Sequence, residues 1–248
     1  MAEAKKLKVM LIRHTLSPEE TVALGAKLCY SRSDLQGLTE KISSRDQSDF
    51  IRKLMNMGHE SVFEHASFTF GIEGVSRVLL AQLTRHRIAS FSVQSQRYVS
   101  YEKGFGYIIP PKIEALGQDA VEEFQRQMDT VEEWYKGWQE KLGTGEGSNE
   151  DARFVLPNAC ETRILMTMNV RELRHFFSLR MCNRAQWEIR AMAEQMHLLC
   201  MQAAPALFAD AGPGCLRGKC PEGEKSCGLA ETKRRERAEL IKRLSEEK

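Results

Sequence analysis

Between Arg85 and Arg97 the chain reads Arg-His-Arg-Ile-Ala-Ser-Phe-Ser-Val-Gln-Ser-Gln-Arg, which places three guanidiniums, one imidazole and three hydroxyls within thirteen residues. Arginine offers a forked, permanently charged donor set that fits phosphate oxygens, while serine hydroxyls and backbone amides fill the remaining acceptor sites. That chemistry suits an anionic ligand carrying phosphate and a planar ring. The triplet Arg85-His86-Arg87 taken alone also suits a charged last helical turn facing the negative end of the dipole. Ser90, Ser95 and Arg97 add groups such a turn does not need, so the segment is expected to be a ligand loop.

A second candidate is Arg180. At about 100° per residue, Leu173, Phe176, Phe177 and Arg180 share one face of a helix that starts after Asn169. An arginine on an apolar face is unfavourable unless an anion meets it, or unless its head snorkels outward or pairs with a carboxylate. Asn169 reads as a plain cap, with Arg171, Arg174 and His175 as a solvated edge. In Gly58–His65, residues His59, Glu60, Glu64 and His65 lie close together, but the spacing gives neither HExxH nor its inverse. Cys215, Cys220 and Cys227 occupy a Gly/Pro-rich stretch, at spacings unlike paired zinc knuckles and with no histidine following. No metal is expected.

The elements that must position these groups follow from periodicity. Leu7–Arg13 reads as a first strand, and Ser17-Pro18-Glu19-Glu20 as the capped start of a helix running to about Tyr30. A helix over about 46–57 should end at Gly58, and Phe68, Phe70 and Ile72 alternate as a half-buried strand. Val75, Val78, Leu79 and Leu83 predict a helix that delivers Arg85-His86-Arg87 at its C-terminal end. A strand is expected at Phe105–Ile109, a charged amphipathic helix at about 119–142, and a flexible connection at Gly143–Ser148. From Ala152 the chain is expected to be mainly helical, with Asn169 and Asn183 as caps. The charged stretch from Leu229 to Lys248 reads as a solvated helix or partner contact.

With 248 residues, 42% hydrophobic and 28% charged, the chain can bury one sizeable core, and a single mixed α+β domain with a central, mostly antiparallel sheet and flanking helices is the expectation. Net charge is +2, so the arginine cluster sits in a nearly neutral protein and general nucleic-acid binding lacks its usual footprint. No apolar run approaches a membrane span, and a cytoplasmic protein with reduced cysteines is expected. A different class of reading keeps the arginine loop without catalysis, as a phosphate- or RNA-binding protein.

The spacing Arg-His-Arg, seven residues, Ser95, one residue, Arg97 resembles the signature of the flavin-dependent thymidylate synthases, fixing residue types at Arg85, His86, Arg87, Ser90, Ser95 and Arg97. Gly58–His65, Ala152–Pro157, Asn169–Arg180 and Ala185–Ile189 agree with it, so the resemblance covers about residues 9 to 210. It implies a homotetramer with active sites shared between subunits, a family domain over 1–211, and an appended segment over 212–248. It implies reductive methylation of dUMP to dTMP, with FAD as cofactor and with methylenetetrahydrofolate and NADPH as co-substrates. Contacts to dUMP carry over to Gln82, Leu83, Thr84, Arg85, Val93, Gln94, Ser95, Gln96, Arg97, Arg153 and Arg180. Arg180 is the catalytic residue of that set, helping to ionise the uracil ring at N3. Contacts to FAD carry over to Ser61, Arg85, His86, Arg87, Val93, Asn169, Val170, Arg171 and His175, with His59 near the reacting rings. Val93 stands where relatives place an acidic or amide side chain, and His175 where some have asparagine.

Overall fold

Alternation at period two and recurrence at period 3.6 divide this chain between strands and helices. The computed structural model describes residues 2–101, 104–143 and 145–246; Met1, Thr144 of the glycine-rich connection and the last two residues of the tail lie outside the described residues. Strands β1 (Glu3–Ala4) and β2 (Lys8–His14) come first, then helices α1 (Pro18–Leu28), α2 (Leu35–Ser43) and α3 (Ser48–Asn56). They are followed by β3 (Ser67–Ser76), α4 (Arg77–Leu83), β4 (Ala89–Val93), β5 (Gly106–Tyr107), α5 (Pro111–Glu114), α6 (Gln118–Leu142) and α7 (Glu146–Ala152). The order closes with β6 (Glu161–Asn169), α8 (Val170–Arg180), α9 (Trp187–Ala203), α10 (Pro205–Phe208) and α11 (Ala230–Glu246). An antiparallel sheet has the strand order β2-β3-β6-β4. In a second, small sheet β1 pairs in parallel with β5, Glu3 opposite Gly106 and Ala4 opposite Tyr107. The class is mixed helix and sheet, as expected.

The chain forms two interleaved compact units, one of residues 1–9, 71–87 and 91–166, the other of 10–70, 88–90 and 167–248. The first is held by an aromatic core of Tyr101, Phe105, Tyr107 and Tyr135, with Met128 and Cys160. Met128, Glu132 and Tyr135 recur on one face of α6 and are buried, Glu132 Oε1 accepting from Lys136 Nζ at 2.6 Å. Each such aromatic contributes roughly 1.5–3 kcal/mol by its burial. Gly74 in β3 has φ +68°, and a Cβ there would lie 1.9 Å from the Lys6 carbonyl oxygen, so only glycine fits this crossing.

The second unit is built on edge-to-face aromatic contacts. Phe208 meets Phe68 at 5.4 Å and Phe177 at 6.0 Å, and Phe177 meets Phe176 at 5.8 Å and His197 at 5.2 Å. His197 lies 3.2 Å from the Phe208 carbonyl through Nε2, and burial pushes its pKa below the ordinary histidine range. It is therefore a structural histidine.

Several local expectations change. Ser17 lies at φ 44° and makes no side-chain cap bond; Pro18 has already removed one of the amide donors a cap would satisfy. At the start of α9 the cap is Gln186, whose side chain accepts from the amides of Glu188 and Ile189, whereas the Asn183 carbonyl accepts from Arg190. Residues after Ala152 are not mainly helical at first, because β6 intervenes with Thr162, Ile164, Met166 and Met168 buried in strict alternation. The expected flexible connection is short, since α7 begins at Glu146 and buries Ser148 and Asn149. Helix α2 is an element the sequence reading did not contain.

Candidate functional site

Helix α8 explains itself residue by residue. Val170, Leu173, Phe176 and Phe177 are fully buried and fix its inner face, with Arg180 half-buried at the end of that stripe. Arg171, Arg174, His175 and Ser178 recur at i, i+3, i+4 and i+7 on the opposite face. That face is only in part a solvated edge: Arg171 and His175 are exposed, while Arg174 and Ser178 are half-buried. It lines a cavity of about 440 Å³ together with Glu60, Phe63, Glu64, Ile88, Asn169, Glu172 and Arg217. The volume lies within the range of small-molecule and cofactor sites.

Asn169 ends β6 in extended conformation and starts α8 as its cap, its Oδ1 accepting from the Glu172 amide at 2.9 Å. The expected cap is therefore present, and the same residue stands in the cavity wall. Asn169→Ala should destabilise the protein by about 1 kcal/mol, the typical loss of such a cap, measurable by urea denaturation.

Charge on the wall is arranged in pairs. Arg171 reaches Glu64 at 2.5 Å and Glu60 at 3.5 Å, which clasps the 3-10 turn Ser61–His65 to α8. Arg174 forks onto Asp210, Nη1 to Oδ1 at 2.6 Å and Nη2 to Oδ2 at 2.9 Å, and donates again to the Leu207 carbonyl at 2.7 Å. Burial opposes ionisation of Asp210, but the Arg174 fork outweighs it and holds the carboxyl below its usual range. Arg217, at the end of the 3-10 turn Gly214–Arg217, makes no ion pair among the described residues.

The Arg85–Arg97 segment is not one loop. α4 ends at Leu83, Arg85 and Arg87 point outward, and His86 is buried with 6% exposure. Residues 89–93 then form β4, continued by a bond from the Gln94 amide to the Arg163 carbonyl at 2.9 Å. The alternating Ala-Ser-Phe-Ser-Val pattern is the signal for this strand. After β4 the chain turns: Ser95 Oγ accepts from the Arg97 amide at 3.1 Å, and Arg97 reaches Glu146 at 2.6 Å and Glu150 at 3.0 Å on α7. Arg153 donates to the Glu150 carbonyl at 3.1 Å, so α7 gathers Arg97 and Arg153. Gln82 is half-buried, Leu83 buried and Thr84 exposed.

Of the flavin set, Asn169, Arg171 and His175 line the cavity together, whereas Arg85, His86, Arg87 and Val93 do not; Ser61 is exposed on the clasped turn and Val170 is buried in the core, and Arg180, of the dUMP set, does not line the cavity. The sequence reading missed Phe63, Ile88, Glu172, Ser178 and Arg217 as wall residues and took Arg174 for a solvated group. The i, i+3, i+4, i+7 recurrence from Arg171 was a usable signal. Arg217, in an irregular segment, had none.

Comparison with known proteins defines the class. Residues 10–206 match the family model described as thymidylate synthase complementing protein. The chain is 51% identical over 230 residues to a flavin-dependent thymidylate synthase of Geobacter sulfurreducens, covering 92% of this chain and 97% of that protein. It is 47% identical over 236 residues to one of Clostridium tetani, covering 90% and 94%. A solved UMP/dUMP methylase of Streptomyces cacaoi, bound with 5-Br dUMP, superposes with TM-score 0.68 at 26% identity, covering 83% of this chain and 95% of that one. The chain belongs to the flavin-dependent thymidylate synthase family.

Proposed function

We propose that the protein converts dUMP, methylenetetrahydrofolate and NADPH into dTMP, tetrahydrofolate and NADP through FAD. The observation that carries this reading is the polar face of α8, where Asn169, Arg171 and His175 line one cavity in a chain half identical to flavin-dependent thymidylate synthases. The residues fit a flavin nucleotide: guanidiniums of Arg171 and Arg217 suit its diphosphate, and Phe63 and Ile88 give apolar surface. When bound, FAD supplies the hydride chemistry.

This chain's own residues bind and orient. Because Asn169 Oδ1 serves the helix cap, its amide nitrogen is the atom that donates to the cofactor. Ser61 and Val170 flank the wall, and Arg85, His86, Arg87 and Val93 complete the flavin set. Arg85, Arg97 and Arg153 hold the dUMP phosphate and sugar, with Gln82, Leu83, Thr84, Val93, Gln94, Ser95 and Gln96 shaping the nucleotide's surroundings. Arg180 donates to the uracil ring and favours the N3-deprotonated form, which raises electron density at C5. Ser95 binds and is not a nucleophile.

The enzyme assembles as a cytoplasmic homotetramer whose subunits share active sites. Supporting this, Ile88, Tyr98 and Phe154 are 66%, 69% and 82% exposed in the single chain and stand next in sequence to Arg87, Arg97 and Arg153. Residues 1–211 form the family domain and 212–248 an appended segment. Among the described residues no helix is long and apolar enough to cross a membrane. A non-catalytic phosphate-binding protein finds no support among these relatives.

Tritium release from C5-labelled dUMP, with FAD, NADPH and methylenetetrahydrofolate present and then omitted in turn, tests the reading. Release that requires flavin and reductant is expected. Absence of release from folded, flavin-loaded protein would overturn it.

A further inference from the structure

The segment from Gly212 to Gly228 is short of the means to hold its own shape. Its regular structure is two 3-10 turns, Gly214–Arg217 and Gly223–Lys225, and its larger apolar groups are Pro213, Leu216 and Pro221. Small independent folds with so little to bury need a disulfide or a metal, and a cross-link of that kind would serve this segment in the same way. Polar contacts hold its rim: Arg234 of α11 donates to the carbonyls of Cys215 at 3.1 Å and Gly218 at 2.7 Å, and Arg184 pairs with Glu222 at 3.1 Å.

Its three cysteines converge with a fourth. Cys182, in the turn that leaves α8, lines the same cavity of about 30 Å³ as Cys215, Cys220 and Cys227. That volume exceeds the roughly 10–15 Å³ that one water-sized sphere needs, so a single ion has room there. Cys182 is positioned by its own carbonyl, which accepts from the Ala185 amide at 2.8 Å. The sequence alone offered only Cys215-x4-Cys220-x6-Cys227, which lacks a fourth ligand, because Cys182 lies far upstream on another element.

We propose that Cys182, Cys215, Cys220 and Cys227 form a structural zinc site. Four thiolates are the ordinary ligand set of closed structural zinc, tetrahedral with Zn–S about 2.3 Å. The surroundings supply cations and an amide donor beside the thiols. Arg184 and Lys233 line the same cavity, Arg184 paired with Glu222 at 3.1 Å and Lys233 with Glu236 at 2.9 Å, and Asn183 Nδ2 donates to Cys227 Sγ at 3.7 Å, the kind of outer hydrogen bond that orients a thiolate ligand. Binding of a divalent cation to such a set releases the thiol protons. Among the described residues no group of three or more His, Cys, Asp or Glu side chains is already set at metal-binding geometry. Binding therefore includes rotation of the thiols onto the ion, in the way small segments order around a metal.

The test uses the full chain, purified reduced and without a metal-affinity tag. Elemental analysis is expected to give about one zinc per chain, and Cys182→Ser to lose most of it, while Cys29→Ser, exposed and outside this cavity, keeps it. Cobalt(II) added to zinc-stripped wild-type protein is expected to give the red-region bands of a tetrahedral thiolate site, where flavin does not absorb. This second readout needs no variant to fold. Reduced wild-type protein that neither holds zinc nor develops those bands overturns the proposal. So does Cys182→Ser with wild-type zinc and cobalt spectra, bound iron with sulfide in place of zinc, or a disulfide among the four in protein that takes up no metal.

Discussion

Arg180→Ala should lower kcat/KM for dUMP by about a hundredfold, while leaving the flavin content of the purified protein unchanged. Arg180 continues the buried stripe of Leu173, Phe176 and Phe177, so its stem is packed and its head is set at the end of α8. Loss of one partner of a buried charge pair is worth about 3–5 kcal/mol. Arg180 is only half-buried, which favours the lower end, and about 3 kcal/mol corresponds to roughly a hundredfold. Arg180→Lys should recover little of this, because an ammonium keeps the charge but loses the planar fork. Steady-state kinetics with a parallel dUMP titration of the flavin spectrum separate binding from turnover. Wild-type kinetics in the alanine variant would remove Arg180 from the site.

Arg174→Ala should destabilise the fold by about 2 kcal/mol. Its side chain is 13% exposed and that of Asp210 is 36% exposed, so the pair is worth less than the roughly 3–5 kcal/mol of a fully buried one. Two features hold the estimate above a surface pair: the fork is bidentate, and the Leu207 carbonyl also loses its donor. The Asp210 carboxyl is held low in the folded state, so its contribution to stability is present above the ordinary carboxylate pKa of about 3.9 and is lost as pH falls through the folded value. Acid unfolding should therefore begin at higher pH in Arg174→Ala than in wild type, and Asp210→Asn should abolish most of that difference. Equal acid midpoints in wild type and Arg174→Ala would show that the pair does not hold the fold.

What the sequence disclosed depended on whether an element carried its own instructions. α8 did: Asn169 caps it, four apolar residues mark its inner face, and Arg180 extends the same stripe. α6 did as well, with its ends within a residue of expectation. β6 was hidden because Arg163 and Leu165 alternate with Ile164 and Met166, so its exposed positions are not uniformly polar and methionine favours helices as readily as strands. β4 was hidden by its serines, whose hydroxyls suggested ligand contacts more strongly than an edge strand. The cavity wall was half legible. Arg171 and His175 lie on α8, but Arg174 needed Asp210, and Arg217 needed a tertiary path that no periodicity encodes.

The double clasp of Arg171 by Glu60 and Glu64 has a bearing on ligand selection. A small inorganic anion that displaced either carboxylate would leave a like charge beside itself and return little in exchange. A larger ligand with several donors and acceptors can compensate the released glutamates while it takes the guanidinium. At Arg171 the wall should therefore favour a ligand that brings its own hydrogen-bond donors over a bare inorganic anion, which competitive binding would show as weak inhibition by phosphate.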